Sequence, residues 1–166
     1  MRLFIAVQFS AEIHEKLLAA IDELRAQSLS GNFTRPENLH MTLAFIGESN
    51  ETAVIRRVLD ALPAGAFPIT VGGSGHFGDL YWVGVEKNKT LQKLVRALRD
   101  GLREAGIAFD EKPFRPHITI GRQIVSDMPV ALTFPETEMT VDRVSLMKSE
   151  RVNGRLVYTE IYGRKL

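Results

Sequence analysis

A four-residue motif that occurs twice constrains the fold of this chain more than any other feature. The first copy, HMTL, occupies residues 40–43, and the second, HITI, occupies residues 117–120. In each copy His and Thr alternate with apolar residues, and this period of two predicts a β-strand. Because successive side chains of a strand point to opposite faces, the His and Thr of each copy should share one face while the apolar side chains point into a core.

The spacing around the two motifs indicates an internal repeat. His40 lies 35 residues after Ile5, which belongs to a short apolar strand, and His117 lies 35 residues after Trp82, which belongs to another. The two histidines are 77 residues apart (117 − 40). Each unit therefore reads strand, helix, motif strand. We expect a bilobal α+β fold with a pseudo-twofold axis, in which two antiparallel-rich sheets face a central cleft, the helices lie outside, and each lobe contributes one histidine.

Local patterns predict the elements that surround the motifs. Apolar residues at helical spacing predict three helices, over residues 11–26, 51–62 and 91–105. The expected N-caps are Ser10, Ser49 or Asn50, and Thr90, and Gly106 is the expected C-cap of the third helix. Strands are predicted at residues 3–7, 39–45, 67–71, 80–85, 114–120, 139–148 and 156–162.

Three short segments are predicted to connect these elements. Residues 28–32 are polar and are expected to form a loop. The sequence GGSG at residues 72–75 is not followed by Gly-Lys-Ser/Thr, so it is not a Walker phosphate loop and is interpreted as a bend or bulge. Asn153 and Gly154 predict a tight hairpin turn between the last two strands.

Composition limits the class of protein. The 166 residues suffice for one domain, and the 45% hydrophobic and 25% charged fractions are ordinary for a soluble globular protein. The net charge of +1 gives no field for a long nucleic-acid track, although a local basic cluster would suffice for a small anion or an RNA end. The chain has no cysteine, which excludes disulfide and thiolate chemistry. Without a signal-peptide pattern or a membrane-length apolar run, a cytoplasmic monomer with no membrane contact is expected.

Two histidines that face each other across a cleft, each beside a hydroxyl, favour proton-transfer chemistry. A neutral imidazole can act as general base while an imidazolium acts as general acid, and each role typically contributes about 10²–10⁴-fold in rate. The hydroxyls of Thr42 and Thr119 can donate hydrogen bonds to phosphoryl oxygens that lie between the rings of His40 and His117. These four residues are the expected catalytic set for displacement at phosphorus, without a metal or other cofactor.

Both motifs resemble the paired H-x-[ST]-x signatures of the 2H (two-histidine) phosphoesterases. The resemblance includes RPENL at residues 35–39 before the first motif, FRP at residues 114–116 before the second, and LYWVGV at residues 80–85. Together with the opening LFIAV and HITIGR at residues 117–122, these segments are similar to the RNA 2′,3′-cyclic phosphodiesterases, historically called bacterial-type 2′-5′ RNA ligases. Members of that branch often carry a basic residue after the first motif, where this chain has Ala44.

The resemblance implies one bilobal domain over residues 1–166 and a function for it. The expected reaction is the opening of RNA 2′,3′-cyclic phosphate ends to 2′-phosphomonoesters without a metal, with 2′-5′ RNA ligation as the reverse reaction. Related enzymes are usually described with the second motif holding the water, which makes His117 the expected base and gives Thr119 a part in placing the water. His40 is then the acid that protonates the leaving 3′ oxygen, and Thr42 binds a non-bridging oxygen.

Basic and aromatic residues near the motifs are the expected substrate-binding residues. Arg122 and Arg115 are candidates for phosphate binding, and Phe77 and Phe114 could stack on a base or belong to the core. If strict alternation holds, Arg122 points away from the cleft, and only a bulge or bend at Gly121 would return it.

Three alternatives remain open from the sequence. A metal site would need a third ligand beside the two histidines, and Glu37, Glu48 and Asp110 are only loosely placed for it. A non-catalytic module that binds RNA ends would use Arg, Thr and aromatic side chains and would not need the histidines. Within the enzyme class, the substrate could instead be a small cyclic nucleotide, ADP-ribose cyclic phosphate or a 2′-5′ linkage.

Overall fold

The computed structural model describes residues 1–166. Its strands and α-helices, in chain order, are β1 (Arg2–Val7), α1 (Ala11–Ala26), β2 (Ser30–Phe33), β3 (Met41–Glu48), α2 (Thr52–Asp60), β4 (Phe67–Phe77), β5 (Leu80–Val85), α3 (Lys89–Glu104), β6 (His117–Val125), β7 (Thr137–Val141), β8 (Arg143–Val152) and β9 (Arg155–Lys165). A short 3₁₀-helix, Pro36–Asn38, precedes β3.

The strands form two sheets in which all neighbouring strands are antiparallel. The first sheet has the order β3-β1-β8-β9, and the second has the order β2-β6-β5-β4-β7. In each repeat unit the opening strand lies beside the motif strand, as β1 beside β3 and β5 beside β6. The motif strands β3 and β6 contact each other where the two sheets meet. The predicted α+β fold with two antiparallel-rich sheets is therefore confirmed.

One apolar core holds the two sheets and the three helices together. It is a cluster of 34 buried residues. The strand β1 is buried on both faces, because its odd-numbered residues from 3 to 7 join this cluster while Phe4 and Ala6 form a small second cluster with Met147. The face that carries Phe4 is the cleft face, since the Phe4 ring packs against the ring of His40. None of the helices combines the length and the apolar character needed to cross a membrane.

Two strand predictions are wrong because they depend on long-range pairing. The polar residues 28–32 were expected to form a loop, yet Ser30–Phe33 is an edge strand that pairs with β6. The single strand expected at residues 139–148 is two strands that belong to different sheets, and they are separated by Asp142. The apolar alternation changes phase at this residue, from Met139 and Val141 to Val144 and Leu146, but a change of phase alone does not indicate that the chain crosses to the other sheet.

Two further boundaries differ from the prediction. Helix α3 begins at Lys89 with Asn88 as its N-cap, because the Asn88 side chain accepts the Leu91 N–H at 2.9 Å; Thr90 already lies within the helix. Helix α2 has Glu51 as its N-cap without a side-chain hydrogen bond. The glycine-rich residues 72–75 lie inside β4, where the register with β5 shifts, so the predicted bulge is confirmed and the strand is longer than expected.

The C-cap of α3 is Ala105, one residue before the expected Gly106. Replacing Gly106 by Ala should destabilise the protein by about 1 kcal/mol, because Gly106 follows the C-cap with a φ of +74° that costs an L-residue roughly 1–2 kcal/mol. A methyl group at this position would meet nothing within 4 Å, so the cost comes from the backbone alone. Denaturant unfolding would measure it. Gly106→Asn is the matched control and should lose less, since Asn tolerates this conformation better; equal losses would contradict the backbone argument.

Candidate active site

His40 is held at the start of β3 by the turn that precedes it. Its Nδ1 lies 2.7 Å from the carbonyl oxygen of Asn38, and its Nε2 lies 2.9 Å from Oγ1 of Thr42. A carbonyl oxygen can only accept, so Nδ1 carries the proton and the lone pair of the neutral ring is on Nε2. The Thr42 hydroxyl then donates to Nε2. This pair of contacts fixes both the tautomer and the orientation of the ring.

His117 is held in the same way at the start of β6. Its Nδ1 donates to the carbonyl oxygen of Arg115 at 2.6 Å, again two residues earlier in the chain. The neutral ring therefore also presents an unprotonated Nε2. Thr119 follows two residues later and is half-buried, while Ile118 between them is fully buried. Both motifs thus place a His and a Thr on the face opposite the buried apolar residues, as the alternation predicted.

Each motif strand contains one unpaired residue three positions after its histidine. In β3 the partners of Ile5 and Ala6 are Ala44 and Thr42, which leaves Leu43 unpaired. In β6 the partners of Tyr81 and Trp82 are Gly121 and Thr119, which leaves Ile120 unpaired. Such a β-bulge shifts the alternation by one residue, so a side chain that would have pointed to the core is returned to the other face.

The bulge in β6 brings Arg122 to the cleft. Ile120 and Gly121 are both buried, and Arg122 beyond them is exposed. The positive charge of Arg122 lies close enough to His40, on the other sheet, to lower the pKa of that ring. The β-strand therefore has the irregularity at Gly121 without which the Arg122 side chain would point away from the cleft. In β3, Ala44 occupies the position that Gly121 has in β6. Ala44 is 1% exposed and packs in the large core, so its side chain makes no contact with the cleft.

The sequence of this chain matches a known protein family. The model of the 2′-5′ RNA ligase superfamily matches residues 13–153. The chain belongs to the 2′-5′ RNA ligase superfamily. The family that the two motifs predicted is therefore confirmed.

Relatives within this superfamily match the chain over almost its whole length. An RNA 2′,3′-cyclic phosphodiesterase of Thermotoga maritima is 31% identical, and the match covers 98% of this chain and 94% of the relative. The Escherichia coli protein of the same name is 28% identical over 96% of this chain and 93% of its own. The crystal structure of E. coli LigT complexed with 3′-AMP superimposes with a TM-score of 0.86 at 26% identity, covering 99% of this chain and 97% of that one.

In this member of the superfamily, His40 is enclosed by aromatic rings. The Phe4 ring lies 4.9 Å from the His40 ring, and Tyr158 meets it edge-on at 5.2 Å. Burial lowers the pKa of His40, the hydrogen bond to the Asn38 carbonyl opposes that shift, and the charge of Arg122 and the proximity of His117 lower the pKa further. His40 is therefore biased towards the neutral form in the free protein.

Sequence reasoning missed four side chains around His40. Two are the enclosing rings of Phe4 and Tyr158; Tyr158 comes from β9, where no motif marks it. The third is Asn38, which is 6% exposed and whose amide donates to the Leu156 carbonyl at 2.9 Å. The fourth is His14 of α1, whose Nε2 lies 2.7 Å from the Pro36 carbonyl oxygen and ties the turn to the helix. Of these four residues, only Asn38 lies close to His40 in the sequence, and this proximity is the one local feature that could have indicated its role.

Burial also raises the pKa of the Tyr158 phenol, while the charges of Arg122 and Arg2 oppose that shift. The phenol is therefore protonated at neutral pH and can donate a hydrogen bond. Two guanidinium groups, one from each sheet, thus act on the same edge of the cleft.

On the second sheet, Phe77 packs against His117. The Phe77 ring is 44% exposed and meets the His117 ring edge-on at 5.7 Å, and the indole of Trp82 supports Phe77 at 5.4 Å. Trp82 pairs with Thr119 across the sheet and covers Gly75, where any Cβ would collide with the indole. The glycine-rich part of β4 therefore makes room for the ring that supports Phe77.

The remaining two substrate-binding candidates are less well placed. Phe114 is half-buried and packs against the large core. The side chain of Arg115 is exposed, and its contact with the site is made by its backbone carbonyl. No group of three or more His, Cys, Asp or Glu side chains in residues 1–166 is arranged to hold a metal ion.

Replacing His40 by Gln should make stability less sensitive to acid. Because the pKa of His40 lies below its ordinary value of 6.5 in the folded protein, the unfolded chain binds the proton more readily there. The stability that neutral His40 contributes is therefore complete above pH 6.5 and is lost as the pH falls from 6.5 towards the folded-state pKa. Denaturant unfolding from about pH 8 to about pH 5 would measure a smaller decline in the variant. Identical declines would contradict the burial argument.

Proposed function

We propose that this protein hydrolyses RNA 2′,3′-cyclic phosphate ends to 2′-phosphomonoesters by two-histidine general acid/base catalysis, without a metal. The observation that carries the proposal is the equivalent placement of His40 and His117, each with Nδ1 donating to the carbonyl two residues earlier, so that each neutral ring carries its lone pair on Nε2. The presence of Arg122 within electrostatic reach of His40 supports an anionic substrate. The names of the relatives support a cyclic phosphate on RNA.

The proposed reaction is an in-line displacement at phosphorus. One histidine accepts a proton from water as the water oxygen bonds to phosphorus, and the other donates a proton to the 3′ oxygen as its bond to phosphorus breaks. The product keeps the phosphate on the 2′ oxygen. The hydroxyls of Thr42 and Thr119 and the guanidinium of Arg122 would donate hydrogen bonds to the non-bridging oxygens, where charge develops. A 5′-hydroxyl in place of water would give a 2′-5′ linkage.

The family resemblance assigns the base to His117 and the acid to His40, and the environment of His40 sets a condition on that assignment. Burial favours neutral His40 in the free protein, which is the form that a base needs. A phosphate anion bound between the rings would raise the pKa of His40 and partly cancel the field of Arg122. His40 can therefore serve as the acid only if it takes up its proton as the substrate binds.

Replacing either histidine by Ala should lower kcat/KM for a 2′,3′-cyclic oligonucleotide by about 10²–10⁴-fold, because each removes one proton-transfer group. His76→Ala, which removes an exposed histidine of β4, is the matched control and should change little. The assay is turnover in EDTA, with the product assigned as a 2′- or 3′-phosphate. If a variant that lacks both histidines still binds RNA ends and the native protein shows no turnover, the protein is an RNA-end binding module. If turnover is lost on chelation and regained with zinc, the protein is a metal enzyme.

A good leaving group should separate the roles of the two histidines. A p-nitrophenyl phosphodiester scarcely needs an acid, so His40→Ala should impair its hydrolysis far less than that of a cyclic ribonucleotide. His117→Ala should impair both substrates about equally, because both need an activated water. If His117→Ala is the variant that the good leaving group rescues, the roles are reversed. If neither variant is rescued, the histidines act in phosphate binding and the acid/base assignment fails.

A further inference from the structure

The strand β6 carries a second irregularity directly after Arg122. Asn32 of β2 pairs with Arg122, whereas Ser30, two residues earlier on β2, pairs with Val125, three residues later on β6. Over this interval β6 therefore has one residue more than β2. A second bulge thus follows the one at Ile120, and Arg122 lies between the two.

Gln123 forms this second bulge in a backbone conformation that is unusual for its side chain. Its φ is +53°, and the other non-glycine residue with a positive φ is Asn153, in the turn between β8 and β9. A bulge of this kind usually has glycine at the left-handed position, because glycine has no Cβ to clash there. The Gln123 side chain is held by β2, since the Asn32 amide donates to its Oε1 at 3.3 Å. A left-handed glutamine beside a cleft points to a functional constraint.

The bulge at Gln123 allows Arg122 and Ile124 to point to opposite faces of the sheet. In an extended strand, residues two apart share a face. Here Arg122 and Gln123 are both exposed, and Ile124 is 7% exposed and belongs to the large core. The left-handed turn at Gln123 therefore separates a side chain that lies in the cleft from one that lies in the core.

Two glycines fix Ile124 in the core. A Cβ at Gly31 of β2 would lie 2.5 Å from Ile124 Cδ1, and a Cβ at Gly121 would lie 2.8 Å from the same atom. The Ile124 side chain thus fills the space that both glycines leave free. If Gln123 became extended, Arg122 and Ile124 would share a face, and the burial of Ile124 would favour the face that points away from the cleft. Arg122 would then leave the cleft.

The charge of Arg122 shows what that loss would change. It lowers the pKa of His40, as the proximity of His117 also does, and it opposes the rise in the pKa of the Tyr158 phenol. His40 and Tyr158 both belong to the first sheet, so the guanidinium from β6 acts across the cleft. An Arg122 turned away from the cleft would no longer lower the pKa of His40 or attract an anion to it.

We propose that Gln123 is a positioning residue, whose left-handed backbone conformation holds the Arg122 guanidinium in the cleft, where it binds the phosphate of the substrate. For the identity of the anion, this inference rests on the proposed function. It makes the display of Arg122 depend on two bulges: the one at Ile120 turns the side chain to the cleft, and the one at Gln123 keeps it there while Ile124 stays buried.

The test uses variants of Gln123 that differ in their tolerance of a positive φ, with inorganic phosphate as the probe. Arg122→Ala sets the scale and should weaken phosphate binding roughly 10- to 100-fold, the usual range for a hydrogen bond to a charged group. Gln123→Val should reproduce most of that loss, because a β-branched residue strongly disfavours this conformation. Gln123→Gly should bind phosphate within about twofold of the native protein, because glycine adopts it freely.

The pKa of His40 in the free protein, followed by NMR titration, is the second readout. Arg122→Ala and Gln123→Val should both raise this pKa towards its ordinary value of 6.5, because both remove the charge of Arg122 from the cleft. Gln123→Gly should leave the pKa unchanged. A role of Gln123 in stability alone would shift the thermal transition without shifting this pKa.

Asn153→Val is the matched control, because Asn153 has nearly the same φ, +52°, in a turn rather than beside Arg122. It should lower the thermal transition, as Gln123→Val does, and leave phosphate binding and the pKa of His40 unchanged. If Gln123→Val does not fold, Gln123→Ala imposes a smaller strain and should fall between Gln123→Gly and the loss seen in Arg122→Ala.

The possible failures are distinguishable. The positioning role is overturned if Gln123→Val and Gln123→Ala bind phosphate and titrate like the native protein, or if Gln123→Gly loses as much as they do. It is also overturned if Arg122→Ala changes neither readout, or if Asn153→Val changes both. Neither readout requires turnover. An absence of hydrolysis of cyclic phosphate ends would therefore overturn the proposed function, while the two readouts would still decide the positioning role.

Discussion

The geometry of the cleft depends on one unpaired residue in each of two strands. Strict alternation would make position four after each histidine face the cleft and position five face the core, and a bulge at Leu43 and at Ile120 reverses both. Two consecutive side chains then enter the core, which explains why each bulge residue is followed by a small residue. Gly121 shows the constraint directly, because a Cβ there would lie 2.8 Å from Ile124 Cδ1 and 2.9 Å from Leu24 Cδ2. The bulge thus couples the packing of α1 to the display of Arg122.

The fold removes the symmetry that the sequence repeat suggests. Both histidines donate from Nδ1 to a carbonyl two residues earlier, so the local geometry is the same. Their surroundings differ, since the motif strand β3 lies beside the buried strand β1, whose Phe4 encloses His40 together with Tyr158 from β9. His117 lies in the other sheet, with the partly exposed Phe77 as its aromatic neighbour. Two copies of one motif therefore lie in different surroundings, and burial lowers the pKa of the His40 ring.

Sequence reasoning succeeded where the determinants are local and failed where they are not. The alternation around His40 and His117 was enough to predict both motif strands, and helical periodicity with a Ser10 cap was enough to predict α1. The edge strand β2 has no apolar alternation and exists because β6 offers it hydrogen bonds. Tyr158 reaches His40 through the order of strands in a sheet, which no local pattern encodes. The direction of Arg122 could be stated only as a condition on Gly121, because a bulge is a property of the strand pair.

Arg122 links the binding of an anion to the protonation of His40. Its guanidinium comes from the second sheet, yet its charge lowers the pKa of a ring held by the first. An anion that pairs with Arg122 would weaken that field and add a negative charge of its own, so it would raise the proton affinity of His40. By thermodynamic reciprocity, a proton on His40 must then strengthen the binding of the anion by the same factor. The enclosed histidine would therefore be biased towards the neutral form while the cleft is free and would gain proton affinity when an anion binds.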